Sequence, residues 1–142
     1  MAIQIVDYGT LKYERLVQLR YQILRKPLHL EFTKSDLEED KECIWIGCFE
    51  NGRAMGCCGL KRIDVVTVQL RQMAVNRGIQ GKGIGRAIVG FAENIATDFS
   101  YKKIIMHARK SAQGFYEKLG YTAYGEIFTE VTVPHIMMEK NL

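Results

Sequence analysis

The sequence predicts a mixed α/β fold with an antiparallel front half and one βαβ crossover at its rear. Three observations carry this. Two β-type runs, residues 43–49 and Arg53–Arg62, flank Asn51-Gly52, a strong short-range hairpin signal. A long run rich in β-branched residues, 65–75, leads into a glycine-rich loop and then an amphipathic helix. A short apolar run, a short helix and two more strand-like segments follow. A chain of 142 residues has the length of one domain, 1–142, and can bury a core without disulfide or metal staples.

Residues 3–6 read as the first strand. Tyr13, Leu16, Val17, Ile23 and Leu24 recur at helical spacing, so residues 10–25 are expected to form one helix, capped by Thr10 and stopped by Pro27. Ser35-x-x-Glu38 has the form of a capping box and is expected to start a second, short helix. Ile84, Ile88, Phe91 and Ile95 place one apolar face on a helix over 85–97. Residues 103–108 follow as a strand, 111–119 as a helix with Gly120 at its C′ position, and 124–129 and 135–140 as strands.

Composition narrows the function. The net charge of +4 is mild, and no basic run exceeds the pair Lys102-Lys103, so a dedicated nucleic-acid binder is not expected. The surplus suits attraction of a polyanionic small ligand. The longest apolar stretch, 87–92, is far below the ~20 residues that cross a bilayer. The first residues have neither the basic start nor the apolar core of a signal peptide, and a cytoplasmic location is expected. Cys43, Cys48, Cys57 and Cys58 form no C-x-x-C, and neighbours Cys57 and Cys58 point to opposite faces of a strand. Reduced, buried thiols and no metal site are the expectation.

The loop before the 85–97 helix carries the most chemistry. Gly78, Gly81, Gly83 and Gly85 allow left-handed backbone and close approach of main-chain N–H groups. A helix start behind them adds unpaired N–H groups and partial positive charge, and Lys82 and Arg86 add full charges. The result is a cradle for phosphate or pyrophosphate. A Walker loop is a poor match because Gly78-x-x-Gly81-Lys82-Gly83 is too short and lacks the hydroxyl. A dinucleotide fold is a poor match because the glycines follow a late strand of an antiparallel series at the wrong spacing.

Gln80-x-x-Gly83-x-Gly85, after a strand ending Met73-Ala74-Val75, resembles the acyl-coenzyme A loop of the GNAT superfamily of N-acetyltransferases. Ala112-x-x-Phe115-Tyr116-Glu117-Lys118-Leu119-Gly120-Tyr121 resembles the family's fourth-helix signature. His107-Ala108-Arg109, with Glu130-x-x-x-Pro134-His135 and Met138, is similar to the small bacterial ElaA-like branch, from which the chain departs at Thr132, where that branch often has Gly. The resemblance covers 44–142 well and the first 43 residues in element order only. It implies a central, mostly antiparallel sheet splayed in the middle and flanked by helices, with acetyl-CoA as cosubstrate in the splay. It implies the pyrophosphate on main-chain N–H groups of Gln80, Gly81, Lys82, Gly83, Ile84, Gly85 and Arg86. The pantetheine arm is implied to pair with Met73, Ala74 and Val75, and Ala112 and Phe115 to border the cofactor. The thioester carbonyl is expected to accept a backbone N–H near Met73.

The resemblance also implies direct attack by an amine with no covalent enzyme intermediate. Tyr116 matches the family's tyrosine; a phenol is protonated at neutral pH and can donate to the leaving thiolate. Its alternative role is that of a helix aromatic beside Phe115 and Leu119. The attacking amine must lose a proton, and Glu130, His135, Asp64 and His107 are the candidates to receive it, against turn and solvated-strand roles for each. His29 and the acidic run 38–40 are weaker candidates. Arg20 and Arg25 either contact an acidic acceptor or sit solvated on the surface. The expected acceptor is a small-molecule amine, in a chain that forms a homodimer or a monomer. The alternatives are a peptide or protein N-acetyltransferase and a non-catalytic acyl-CoA sensor.

Overall fold

The computed structural model describes residues 1–79 and 81–142. Its strands form one sheet in the order β1 (Ala2–Val6), β2 (Cys43–Glu50), β3 (Arg53–Arg62), β4 (Thr67–Val75), β5 (Lys103–Arg109), β7 (Val133–Asn141), β6 (Thr122–Glu130). Neighbours are antiparallel except β4 and β5, which are parallel and joined by the crossover helix α3 (Ile84–Asp98). The front hairpin turns at Asn51 (φ 51°) and Gly52 (φ 76°), both left-handed, the backbone that matches the twist of the flanking strands.

Helix α1 (Leu11–Arg20) starts at Thr10, whose Oγ1 accepts the Tyr13 N–H at 3.2 Å. Instead of one regular helix over 10–25, the chain widens into a π-type turn at Tyr21–Arg25 and closes with a 3₁₀ turn at Lys26–Leu28. Pro27 has no N–H to give to the turn before it, so the helix loosens there. Helix α2 (Lys34–Glu39) has its capping box two residues earlier than Ser35 and Glu38: Thr33 Oγ1 accepts from the Asp36 N–H at 3.0 Å, and Asp36 Oδ2 accepts from the Thr33 N–H at 2.9 Å. Helix α4 (Gln113–Lys118) is preceded by a 3₁₀ turn at Lys110–Ala112 and ends before Gly120 (φ 95°).

The sheet buries both faces. Tyr13, Leu16 and Leu19 of α1 pack on Trp45, Phe49, Cys57 and Ala74. Ile84, Ile88, Val89, Ala92 and Ala96 of α3 pack with Ile46, Cys58, Leu60, Val68 and Leu70 on the other face. Cys57 and Cys58 lie in different clusters, as strand alternation requires. Ala92 and Ala96 let α3 settle close to the sheet, and at Gly56 a Cβ would meet Ile88 Cδ1 at 2.5 Å.

The β4–β5 ladder runs from Thr67↔Lys103 to Leu70↔Met106 and stops. Beyond it β4 continues to Val75 beside β3, and β5 to Arg109 beside β7. The sheet therefore splays in its middle. Among the described residues no helix is long and apolar enough to cross a membrane.

Candidate active site

A cleft of about 1000 Å³ opens where β4 and β5 part. Its β4 wall is irregular. The β3–β4 register slips between Cys57 and Gly59, and Gln72 takes φ 54°, a left-handed value rare for a side chain of its size. Cys57 Sγ donates to the Gln72 carbonyl at 3.7 Å, and Gln72 Oε1 is buried with no hydrogen-bond partner. This bulge brings Gln72, Met73, Ala74 and Val75 to the cleft.

The opposite end is the start of α3. Its N-cap is Gly83 (φ 80°), with no side-chain cap and no acid in the first turn. The leading N–H groups have no partner within the helix by construction. Gly81 (φ 89°) and Gly83 both need left-handed backbone, and a Cβ on either would project into open space. Gly85 is small for another reason: a Cβ there would meet Phe115 Cζ at 3.2 Å and Met73 Cε at 3.4 Å. Gly81, Gly83, Ile84, Gly85, Arg86, Ala112 and Phe115 line the cleft with Met73, Ala74 and Val75. Lys82 is exposed beside that lining, and Gln80 lies outside the described residues.

Tyr116 of α4 lines the same cleft while being only 5% exposed. It packs edge-to-face on Phe115 (5.0 Å) and Tyr121 (5.9 Å). Burial, then the nearby Cys58, pushes its phenol well above the ordinary value, so it stays protonated.

On the far wall three of the proton-acceptor candidates form one cluster. Glu130 ends β6, and His135 sits on β7 across the turn. Glu130 Oε1 is 2.9 Å from His107 Nδ1, and Glu130 Oε2 is 3.7 Å from His135 Nε2. His135 Nδ1 donates to the Val133 carbonyl at 2.8 Å, an assignment made from the bonding partners, which leaves Nε2 as an acceptor. The Phe128 ring lies edge-on to His107 (5.3 Å) and stacked on His135 (5.9 Å), fixing both imidazoles.

The other candidates do different work. Asp64 accepts the Val66 and Thr67 N–H groups at 2.9 and 2.7 Å, which closes the β3–β4 turn away from the cleft. His29 ends the 3₁₀ turn and borders a separate, smaller pocket. Arg20 is not a surface residue: it is 1% exposed, pairs with Asp40 at 2.8 and 3.2 Å, and lies 4.2 Å over the Trp45 ring. Asp40 also accepts from Tyr13 Oη at 2.5 Å, and its carbonyl from Trp45 Nε1 at 3.0 Å. Arg25 and Arg109 do face the cleft. Sequence reasoning gave Arg109 no role, although His107 and Arg109 alternate on one strand and so share a face.

A model of the acetyltransferase (GNAT) family matches residues 11–121. The chain belongs to that family. It is an N-acetyltransferase by class. Among curated relatives, YyaT of Bacillus subtilis is 29% identical over 112 residues, covering 79% of this chain and 74% of its own. Among solved structures, Escherichia coli ElaA has a TM-score of 0.85 at 18% identity, covering 99% of each chain. An aminoglycoside 6′-N-acetyltransferase complexed with coenzyme A has a TM-score of 0.80 at 19% identity, covering 99% of this chain and 97% of its own. At these identities the two structures show the fold alone.

Proposed function

We propose that this GNAT protein transfers the acetyl group of acetyl-CoA to the primary amine of a small molecule, with both substrates bound in the cleft. The observation that carries this reading is the convergence on one cleft of an uncapped helix start, a buried protonated phenol, and a carboxylate–imidazole pair. Acetyl-CoA supplies an acyl group on a good leaving group; the amine nitrogen bonds to the carbonyl carbon as the carbon–sulfur bond breaks.

The chain's residues have separate tasks. Gly81, Gly83, Ile84, Gly85 and Arg86, with Lys82 beside them, hold the pyrophosphate through N–H groups and positive charge. The open space at Gly81 and Gly83 fits such a ligand. Met73 and Ala74 offer a strand edge to the pantetheine arm, and Val75, Ala112 and Phe115 border it. The Met73 N–H donates to the thioester oxygen as negative charge grows there.

An incoming ammonium meets two acceptors, Glu130 Oε2 and His135 Nε2, 3.7 Å apart. It donates to both and leaves a proton with one of them. His107 holds the other oxygen of Glu130 and so fixes the carboxylate's direction. Tyr116 hydrogen-bonds the departing sulfur. Burial raises its pKa and keeps the phenol protonated, and the same burial disfavours a bare thiolate, which draws on that proton.

The test is release of free thiol from acetyl-CoA against a panel of amines, amino acids, polyamines and short peptides. Turnover with a small amine and identification of the N-acetylated product are expected. Tight cofactor binding without transfer to any amine would overturn the reading.

A further inference from the structure

The acceptor half of the cleft contains two arginines, Arg25 and Arg109, that form no ion pair among the described residues. Arg25 Nη1 donates to the Leu24 carbonyl at 3.2 Å, and Arg109 Nη2 donates to the same oxygen at 2.9 Å. Two guanidiniums thus crowd one neutral carbonyl. Among the described residues each makes that one side-chain hydrogen bond, and neither has a carboxylate within 4.0 Å. A guanidinium carries five N–H donors, so most of both sets remain to be used. Arg25 is only 8% exposed, and its plane lies against Phe32, 4.7 Å from the ring centre. Burial foremost, with Arg109 and Arg20 adding repulsion, pulls its pKa down, while Asp36 and Glu130 pull it up from beyond ion-pair distance. Burial lowers that of Arg109 too.

The carboxylates on the same wall are already engaged. Asp36 caps α2 through the Thr33 N–H, Glu39 pairs with Arg71 at 3.2 Å, Asp40 with Arg20 at 2.8 Å, and Glu130 with His107 at 2.9 Å. Arg20 shows what a charge-paired arginine looks like in this corner, with a two-pronged carboxylate and a ring beneath it. A buried cation and a half-buried one held together with no carboxylate in ion-pair range among the described residues are costly in free energy unless something negative visits them. Arg109 is also the register partner of His135, so the cationic corner adjoins the proton-acceptor pair.

We infer that Arg25 and Arg109 form a carboxylate-binding subsite, and that the acceptor is an amine bearing a carboxylate, of the amino-acid type. The carboxylate takes the place of the Leu24 carbonyl as the arginines' main partner, and the amine then reaches Glu130 and His135. Planar, paired N–H donors favour a carboxylate over a neutral amide. This inference rests on the transfer reading above.

The experiment compares free amino acids with their carboxamides as acceptors, in wild type and in Arg109→Gln and Arg25→Lys. The free acids are expected to have a kcat/KM at least about tenfold above their amides. Arg109→Gln is expected to abolish that preference by raising KM for the acids about tenfold more than for the amides. Equal use of acids and amides by wild type, or an equal loss on both in Arg109→Gln with unaltered thermal stability, overturns the subsite. Arg25→Lys keeps charge but not the fork, and is expected to lose part of the preference. If no amine of either kind is acetylated, the transfer reading fails, and the subsite is judged on binding alone. N-acetylated amino acids must then bind the coenzyme A complex more tightly than their amides, and equal affinities overturn it.

Discussion

Glu130 Oε2 stands 3.7 Å from His135 Nε2, too far for a hydrogen bond and close enough for one ammonium to donate to both. The gap exists because His135 spends Nδ1 on the Val133 carbonyl and Glu130 spends Oε1 on His107. Each partner keeps one acceptor, which the proposed mechanism gives to the substrate amine. Glu130→Gln removes the charge while keeping the shape, and kcat/KM is expected to fall by about 10²-fold or more. An unchanged rate in Glu130→Gln would remove the carboxylate from the mechanism.

Tyr116→Phe separates chemistry from binding. The ring stays to pack on Phe115 and Tyr121, and only the donor is lost. The expected result is a fall in kcat of about 10²-fold with little change in acetyl-CoA affinity. Calorimetric titration of acetyl-CoA alongside steady-state rates checks both halves.

The β6–β7 turn carries strain that can be relieved. Val131 (φ 43°) and Thr132 (φ 68°) are β-branched residues in left-handed backbone. Such a conformation costs about 1–2 kcal/mol for a residue with a Cβ. Thr132→Gly is expected to stabilise the fold by about 1 kcal/mol, which raises Tm by about 3 °C for a chain of this size. Thermal unfolding of the variant measures this directly.

Alkaline pH should destabilise the protein. Burial raises Cys57 from 9.0 to about 12, raises Cys58 well above 9.0, and lifts the Tyr13, Tyr116 and Tyr121 phenols above their ordinary 10.0. For Tyr13 the Asp40 carboxylate adds to burial, and for Tyr121 Glu93 does. The folded state therefore holds protons that the unfolded chain releases first. These groups contribute full stability below pH 9 and lose it as pH rises toward their folded values. Urea midpoints are expected to be flat from pH 7 to 8 and to fall steadily above about pH 9. A midpoint that rises above pH 9 would contradict the burial of these groups.

Much of the fold was legible because local chemistry and tertiary structure agree. Asn51-Gly52 names its own turn, and Ile84, Ile88, Phe91 and Ile95 name the face of α3 that meets the sheet. The start of α2 was misplaced because Thr33-x-x-Asp36 and Ser35-x-x-Glu38 both have capping form, and only the tertiary chain path chooses between them. Arg20 misled for another reason. Its spacing marks a helix residue, but its partner Asp40 is held in place by Tyr13, and nothing local announces such a buried pair. The glycine-rich end of the cleft was readable, since a glycine loop before a helix is a local signal. The acceptor end was not. His107, Glu130 and His135 meet only through the β5–β7 and β6–β7 registers, and the turn that sets the second has no glycine to reveal it.

Direct transfer between two bound substrates is the central claim, and initial rates with acetyl-CoA and the acceptor both varied test it most directly. Intersecting lines in the double-reciprocal plot, with no acetyl group on the protein by intact mass after incubation with acetyl-CoA alone, are the predicted result. Parallel lines together with a stoichiometric mass gain on the protein would contradict it.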